Sequence, residues 1–283
     1  MACRDDEPDN PSPGVPIGVF DSGVGGLTVL KELRRELPRA SFVYFGDTSN
    51  CPYGLRSEQG IQCLSLAAAS FLITRGACAI VVACNAASQA ALALLRATYD
   101  LPFIGVVPAV KPAVAQSQRR RVGIAVTNQA ARSPYLRNLI ARYADGAQVY
   151  TAGCTELVTL VEAGQLAGEA AEGAVRACLR PLLEAGIDTL ALGCTHFPAL
   201  RPVIERIVGP EVLVIDSGAA VARQTRRVLT QHGLLGAVEH ATPPRHEFWC
   251  SGDPQAFSAA AAAVLGEPVT ARRASPSRLP RQR

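Results

Sequence analysis

The chain has 283 residues, 48% of them hydrophobic and 18% charged, which excludes a disordered polymer and leaves room for one large or two modest globular domains. Its net charge of +4 comes mainly from arginines in the last dozen residues, and aromatics are only 5%, so the broad basic and aromatic surface of a nucleic-acid binder is missing. Nine cysteines without metal-finger spacing, behind an amino terminus without signal character, argue against a disulfide framework and for a reducing cytoplasm.

Residues 1–14, rich in Pro and Asp, read as a disordered segment. Ile17-Gly-Val-Phe20 reads as a strand, followed by a Gly-rich turn and a helix that Pro38 stops. Residues 42–45 form the next expected strand, 57–75 a helix, 79–83 a strand, 87–97 a helix, and 103–107 the strand that closes this series. The uncharged stretch between Arg75 and Arg96 is long enough to cross a membrane. Asn85, Ser88 and Gln89 within it, and the change from β-branched Ile80-Val81-Val82 to Ala/Leu-rich sequence, read as strand, loop and helix instead.

A second series opens at Arg121-Val-Gly-Ile-Ala-Val126 after Pro108 and Pro112, continuing with a helix near 133–144, a strand at 147–151, helices near 155–163 and 168–185, and a strand at 188–192. Both series start with a strand, a polar turn and a helix, which suggests an internal duplication. A strand ending at Asp216, a helix over 219–232 and a strand at 246–249 then return the chain to its first domain. The Arg-, Pro- and Ser-rich residues 271–283 read as a disordered basic tail.

Two segments carry the chemistry. Ala79-Ile-Val-Val-Ala-Cys84-Asn85-Ala86 and Asp188-Thr-Leu-Ala-Leu-Gly-Cys194-Thr195-His196 are apolar runs that end in a cysteine. Buried parallel strands read this way, and functional groups in α/β sheets sit just past the strand carboxyl ends. Two thiols facing each other across a cleft between related halves would supply an acid and a base to opposite faces of one substrate. Asp21-Ser22-Gly23-Val-Gly25-Gly26 could instead be a dinucleotide turn, but Thr28 stands where the third fingerprint glycine belongs and Asp21 would repel a pyrophosphate. Cys194-x-His196 is a possible metal-ligand pair without a second pair at matching spacing.

These segments, with Gly46-Asp47-Thr48, Cys51-Pro52-Tyr53-Gly54, Leu157-Val-Thr-Leu-Val-Glu162, Asp216-Ser217-Gly218 and Phe248-Trp-Cys-Ser-Gly252-Asp253-Pro254, resemble glutamate racemases in the family's order over residues 15–265. The resemblance implies an α/β fold of two pseudosymmetric three-layer domains with mostly parallel sheets and the active site in the interdomain cleft. The first domain would hold residues 15–107 plus 215–270 and the second 108–214. It implies cofactor-independent, metal-free interconversion of L- and D-glutamate for peptidoglycan synthesis, in a cytoplasmic homodimer with no nucleic-acid or membrane partner.

By the same resemblance Cys84 and Cys194 are the two acid/base residues, with Cys194 attacking L-glutamate and Cys84 attacking D-glutamate. Asp21 assists the Cys84 side, and His196 and Glu162 are auxiliary acid/base groups. Asp21, Ser22, Pro52, Tyr53, Gly54, Asn85, Ala86, Thr195 and His196 bind substrate, Tyr53 and Gly54 through backbone or hydroxyl contacts. The remaining cysteines, Cys51 and Cys178 among them, read as core residues. Cys154-Thr155-Glu156 mimics the second thiol of aspartate racemases, but its place just before Glu162 gives Cys154 a packing or pocket-edge role.

The sequence departs from the family in two places: Ala86 replaces the usual threonine after Cys-Asn, and Cys154-Thr-Glu156 replaces the usual Cys-Pro-Leu. Both leave open an aspartate or broad-specificity racemase, and a non-catalytic binding protein on this fold is the alternative from another class.

Overall fold

The computed structural model describes residues 14–240 and 243–274. The first series runs β1 (Ile17–Asp21), α1 (Leu27–Glu36), β2 (Phe42–Gly46), α2 (Glu58–Thr74), β3 (Ala79–Val82), α3 (Asn85–Thr98) and β4 (Phe103–Gly105). The second runs α4 (Val110–Gln116), β5 (Arg121–Val126), α5 (Asn128–Ala131), α6 (Pro134–Tyr143), β6 (Gln148–Gly153), α7 (Thr155–Glu162), α8 (Glu169–Glu184), β7 (Thr189–Leu192), α9 (Arg201–Val208) and β8 (Leu213–Ile215). The chain closes with α10 (Gly218–Gln231), α11 (Leu235–Val238), β9 (His246–Cys250), α12 (Pro254–Leu265) and β10 (Ala271–Arg273).

The strands form two sheets, ordered β10-β9-β2-β1-β3-β4 and β6-β5-β7-β8, and every pairing in them is parallel. In both sheets the first strand of the series lies between the second and third, and the fourth lies outside the third. This shared order is the structural trace of the duplication. β1, β2 and β3 are buried at every residue, as expected of strands covered by helices on both faces.

Three apolar clusters define the layers. One lies between the first sheet and α2 and α3, and another between the second sheet and α4 and α6. The third is continuous from Leu27, Leu30 and Leu33 of α1 through Phe257 of α12 to Val161 of α7 and Leu190 of β7. The inner helices of the two sheets therefore share one core. Local signals fix several boundaries. Asp253 accepts a hydrogen bond from Gln255 N at 2.8 Å, Pro254 opens α12, and Gly266 ends it in the left-handed region at φ 76°.

Two expectations are corrected. Ala271–Arg273, read as part of a disordered tail, pair in parallel with Phe248–Cys250 as an edge strand. The Arg272 guanidinium lies over the Trp249 ring, 5.6 Å from its centroid, and this cation–π contact makes the polar strand pack. Residues 1–13 and 275–283, also read as disordered, lie outside the described residues.

The second correction concerns the cysteines. Cys154 and Cys178 form a disulfide that ties the start of α7 to the middle of α8, with Cα atoms 5.5 Å apart. In the sequence Cys178 reads as a core residue and Cys154 as a packing or pocket-edge residue, and the fold instead brings α7 and α8 together with the two cysteines at their seam. Cys154 is fully buried in the shared core and does not line the cleft. Closing a loop of this length stabilises by about 3 kcal/mol in the chain-entropy account. Cys178→Ser should therefore lower the urea midpoint under oxidising conditions and leave it nearly unchanged under strong reductant.

Candidate active site

The loops after β1, β3 and β7 converge at the carboxyl ends of both sheets around a cleft of about 590 Å³. Asp21, Ser22, Pro52, Tyr53, Gly54, Cys84, Asn85 and Ala86 line it from the first sheet's side, and Cys194, Thr195 and His196 from the second's. Glu162 does not line the cleft. It ends α7 and reaches His196 from behind.

The β1–α1 turn is the seam between the halves. Its backbone N–H at Val24 donates to Glu162 Oε1 at 2.8 Å, and Thr28 Oγ1 donates to the Thr195 carbonyl at 2.8 Å. Asp21 is fully buried. Its carboxyl accepts from the Ser22 and Gly26 N–H groups, from Ser22 Oγ at 3.0 Å and from Thr195 Oγ1 at 3.2 Å.

The glycines of this turn have a steric reason: a Cβ at Gly23 would lie 2.5 Å from Glu162 Cδ, and one at Gly25 2.6 Å from ring carbons of His196. The run that resembles a phosphate-binding turn thus makes room for two side chains of the opposite half.

The two thiols have unlike surroundings. Cys84 precedes α3, is 5% exposed, and donates to Ser22 Oγ at 3.8 Å. Burial, then the Asp21 charge, push its thiol well above the ordinary range, so Cys84 holds its proton. Cys194 is half-buried, with its Sγ 3.7 Å from His196 Nδ1. His196 Nε2 lies 2.6 Å from Glu162 Oε1.

Burial opposes a charged imidazole, but hydrogen bonds to Cys194, Cys51 and Glu162 outweigh it and hold the His196 pKa well above its ordinary value. The ring has a polar neighbour at each nitrogen, Cys194 Sγ at Nδ1 and Glu162 Oε1 at Nε2. Burial raises the Asp21 carboxyl, opposed by the nearby His196 charge.

The raised His196 value has a signed consequence. The unfolded chain loses this proton near about pH 6.5 while the folded protein keeps it, so the contribution of His196 to stability is complete below that pH. It fades as pH rises through the folded value. The gap in urea midpoint between the wild type and His196→Asn should accordingly be widest at about pH 6 and narrow steadily towards alkaline pH.

Tyr53 is corrected in one respect. Its hydroxyl is buried and donates to Asp47 Oδ2 at 2.7 Å, so the expected hydroxyl contact to substrate falls away and the backbone of Tyr53 and Gly54 remains. Asp47 also accepts from Asn50 Nδ2 at 3.0 Å and Ser251 Oγ at 2.6 Å. It therefore anchors the loop through Cys51, Pro52, Tyr53 and Gly54. Asn85 Nδ2 is a buried donor without a partner among the described residues, and a carboxylate in the cleft would satisfy it.

The sequence profile of the Asp/Glu/hydantoin racemase family matches residues 17–225. The chain belongs to this family. It is 45% identical over 243 residues to the glutamate racemase of Herpetosiphon aurantiacus, covering 86% of this chain and 95% of that one. Its fold is similar to glutamate racemase isoform RacE1 from Bacillus anthracis, with a TM-score of 0.82 at 33% identity over 92% of this chain and 97% of that one. It is also similar to the Escherichia coli glutamate racemase solved with L-glutamate and the activator UDP-MurNAc-ala, with a TM-score of 0.80 at 33% identity over 91% and 97% of the two chains.

Within this racemase fold, one neighbour escaped the sequence reading. Cys51, assigned to the core, faces the His196 imidazole from the loop after β2 and is only partly buried. Its residue type carried no signal, because the approach of the β2 loop to α7 and His196 is a property of the assembled halves.

Proposed function

We propose that this protein is a glutamate racemase that works by two-base proton transfer between Cys84 and Cys194. The observation that supports it most is the placement of the thiols. Each follows the third strand of one of two like-ordered sheets, both line one cleft, and each has a different proton partner. The names of its relatives agree with this activity.

In the direction from L-glutamate, the Cys194 thiolate takes the α-proton and the Cys84 thiol delivers its own proton to the opposite face. One S–H bond forms and the other breaks, and the reverse reaction exchanges the roles. The α-hydrogen is a far weaker acid than a thiol, so the site must lower the cost of the carbanion. Exclusion of water and donors gathered at the substrate carboxylate supply that help. His196, backed by Glu162, moves a proton to and from the Cys194 sulfur, and Asp21 serves the Cys84 side through Ser22. Ser22, Asn85, Thr195 and His196, with the backbone of Pro52, Tyr53 and Gly54, hold the substrate.

The product would be D-glutamate for peptidoglycan, made in the cytoplasm by a homodimer whose chains divide into the domains set out above. No helix among the described residues is long and apolar enough to cross a membrane.

Ala86 bears on affinity. It lines the cleft beside Cys84 without the hydroxyl usual in the family, and one hydrogen bond to a charged group is worth roughly 1.5–3 kcal/mol. Ala86→Thr is therefore expected to lower the KM for glutamate by about tenfold or more, measured as initial rates against concentration.

The test of the function is proton NMR of L-glutamate, D-glutamate and L-aspartate incubated separately with metal-stripped protein in deuterated buffer. Optical rotation is followed in parallel. Loss of the glutamate α-proton signal with decay of rotation from either enantiomer is the expected result. Exchange confined to aspartate would reassign the substrate, and no exchange at all would overturn the reading.

A further inference from the structure

Behind the cleft, among the described residues, one group of side chains has the make-up of a metal site. Cys51 Sγ, a Glu162 carboxylate oxygen and a His196 ring nitrogen all lie within 4.8 Å of one another. Cys51 and Glu162 are partly buried and His196 is buried. The three come from different parts of the fold: the loop after β2, the last residue of α7 and the loop after β7. The seam between the halves holds them together, through the Val24 N–H on Glu162 and the close approach of Gly25 to His196.

We propose that Cys51, Glu162 and His196 form an inhibitory binding site for a borderline-soft divalent cation of the zinc type. Thiolate, imidazole and carboxylate are the ligand types such an ion takes, and three protein ligands with a fourth position left to water is a common tetrahedral set. Tetrahedral bonds of about 2.0–2.3 Å place ligand atoms roughly 3.3–3.8 Å apart. The three atoms lie within 4.8 Å of one another, and the 2.6 Å contact of His196 with Glu162 would open to admit the ion.

Binding has a defined proton balance. The Cys51 thiol gives up its proton to become the thiolate ligand, and His196 binds through an unprotonated ring nitrogen. The cation bonds to sulfur, nitrogen and oxygen, and the displaced protons are released to solvent. Affinity should therefore rise with pH. Inhibition follows from the same site, because a cation bonded to one His196 ring nitrogen ties up the imidazole and stops it from cycling a proton to and from the Cys194 sulfur at 3.7 Å.

The experiment uses the full-length, metal-stripped enzyme titrated with Co²⁺ and Zn²⁺. One equivalent of Co²⁺ is expected to produce a thiolate-to-cobalt charge-transfer band. Zn²⁺ should displace the cobalt, and racemisation should fall in step with occupancy and return on adding EDTA. Calorimetry in buffers of different ionisation enthalpy should show net proton release on binding, and affinity should rise with pH. Cys51→Ser is expected to lose the charge-transfer band and to weaken zinc inhibition at least about tenfold, each zinc titration being scaled to the variant's own rate in metal-free buffer.

A thiolate band and zinc inhibition that persist unchanged in Cys51→Ser would place the ion on Cys84 or Cys194 and overturn the proposal. So would the absence of any cobalt band in the wild type. The cobalt and calorimetric readouts do not depend on the racemase reading, so failure of one leaves the other separately tested.

Discussion

Replacing either thiol by serine is expected to abolish racemisation while leaving half of the proton chemistry behind. General acid–base groups contribute about 10²–10⁴-fold, and a serine hydroxyl is a much weaker base than a thiolate. In Cys84→Ser, Cys194 can still take the α-proton of L-glutamate and return a solvent deuteron to the same face. Deuterium should therefore enter L-glutamate with little loss of optical rotation, and D-glutamate should stay almost untouched. Cys194→Ser should show the opposite preference, and His196→Asn should resemble it in direction because His196 serves the same sulfur at 3.7 Å. NMR of the two enantiomers run separately reads both rates. Equal exchange from both enantiomers in either serine variant would refute the assignment of one thiol to each face.

Gly25→Ala should be almost as damaging, although it adds one methyl group and removes no functional atom. Its Cβ would press on the His196 ring, 2.6 Å from Cγ and Cε1, in a place where the ring is held by Glu162 on one side and Cys194 on the other. Overpacking of this kind costs about 1–3 kcal/mol of stability, and a displacement of about 1 Å at a reacting group can cost 10²-fold in rate. The expected result is a folded enzyme with kcat reduced about a hundredfold and KM for glutamate changed far less. In Gly26→Ala the added Cβ would meet Asp21 Cβ at 2.7 Å and Tyr44 Oη at 2.9 Å, disturbing the Cys84 side instead. Circular dichroism and a urea titration on each variant distinguish a displaced ring from a failure to fold.

The strands and helices that were legible in the sequence are those whose signal is local. β1, β3, β5 and β7 are continuous apolar runs, and α2, α3 and α8 are long Ala/Leu-rich segments between turn residues. The two thiols were legible for the same reason, since each closes an apolar run. What was missed depends on tertiary contact or on proline in a permitted position.

Helix α4 forms although Pro112 lies inside it, because a proline in the first turn gives up an N–H that has no helical partner there. Strand β10 is three residues long and ends in two arginines, so only its pairing with β9 and the contact of Arg272 with Trp249 identify it. The Cys154–Cys178 pairing and the meeting of Cys51 with His196 join residues whose spacing in the sequence specifies nothing. The glycines of the β1–α1 turn were visible as a motif, but their purpose was not, because the side chains they admit belong to the other half.

The unlike partners of the two sulfurs set a limit on what this enzyme can do. Enantiomers in water have equal free energies, so the equilibrium constant of their interconversion is one, and no arrangement of protein groups can change it. The Haldane relation then requires kcat/KM to be identical in the two directions. Whatever advantage the Cys84 side draws from Asp21 and Ser22, or the Cys194 side from His196 and Glu162, must appear as a higher kcat matched by a proportionally higher KM. The lopsided architecture therefore governs which enantiomer saturates the enzyme first, and never which one accumulates.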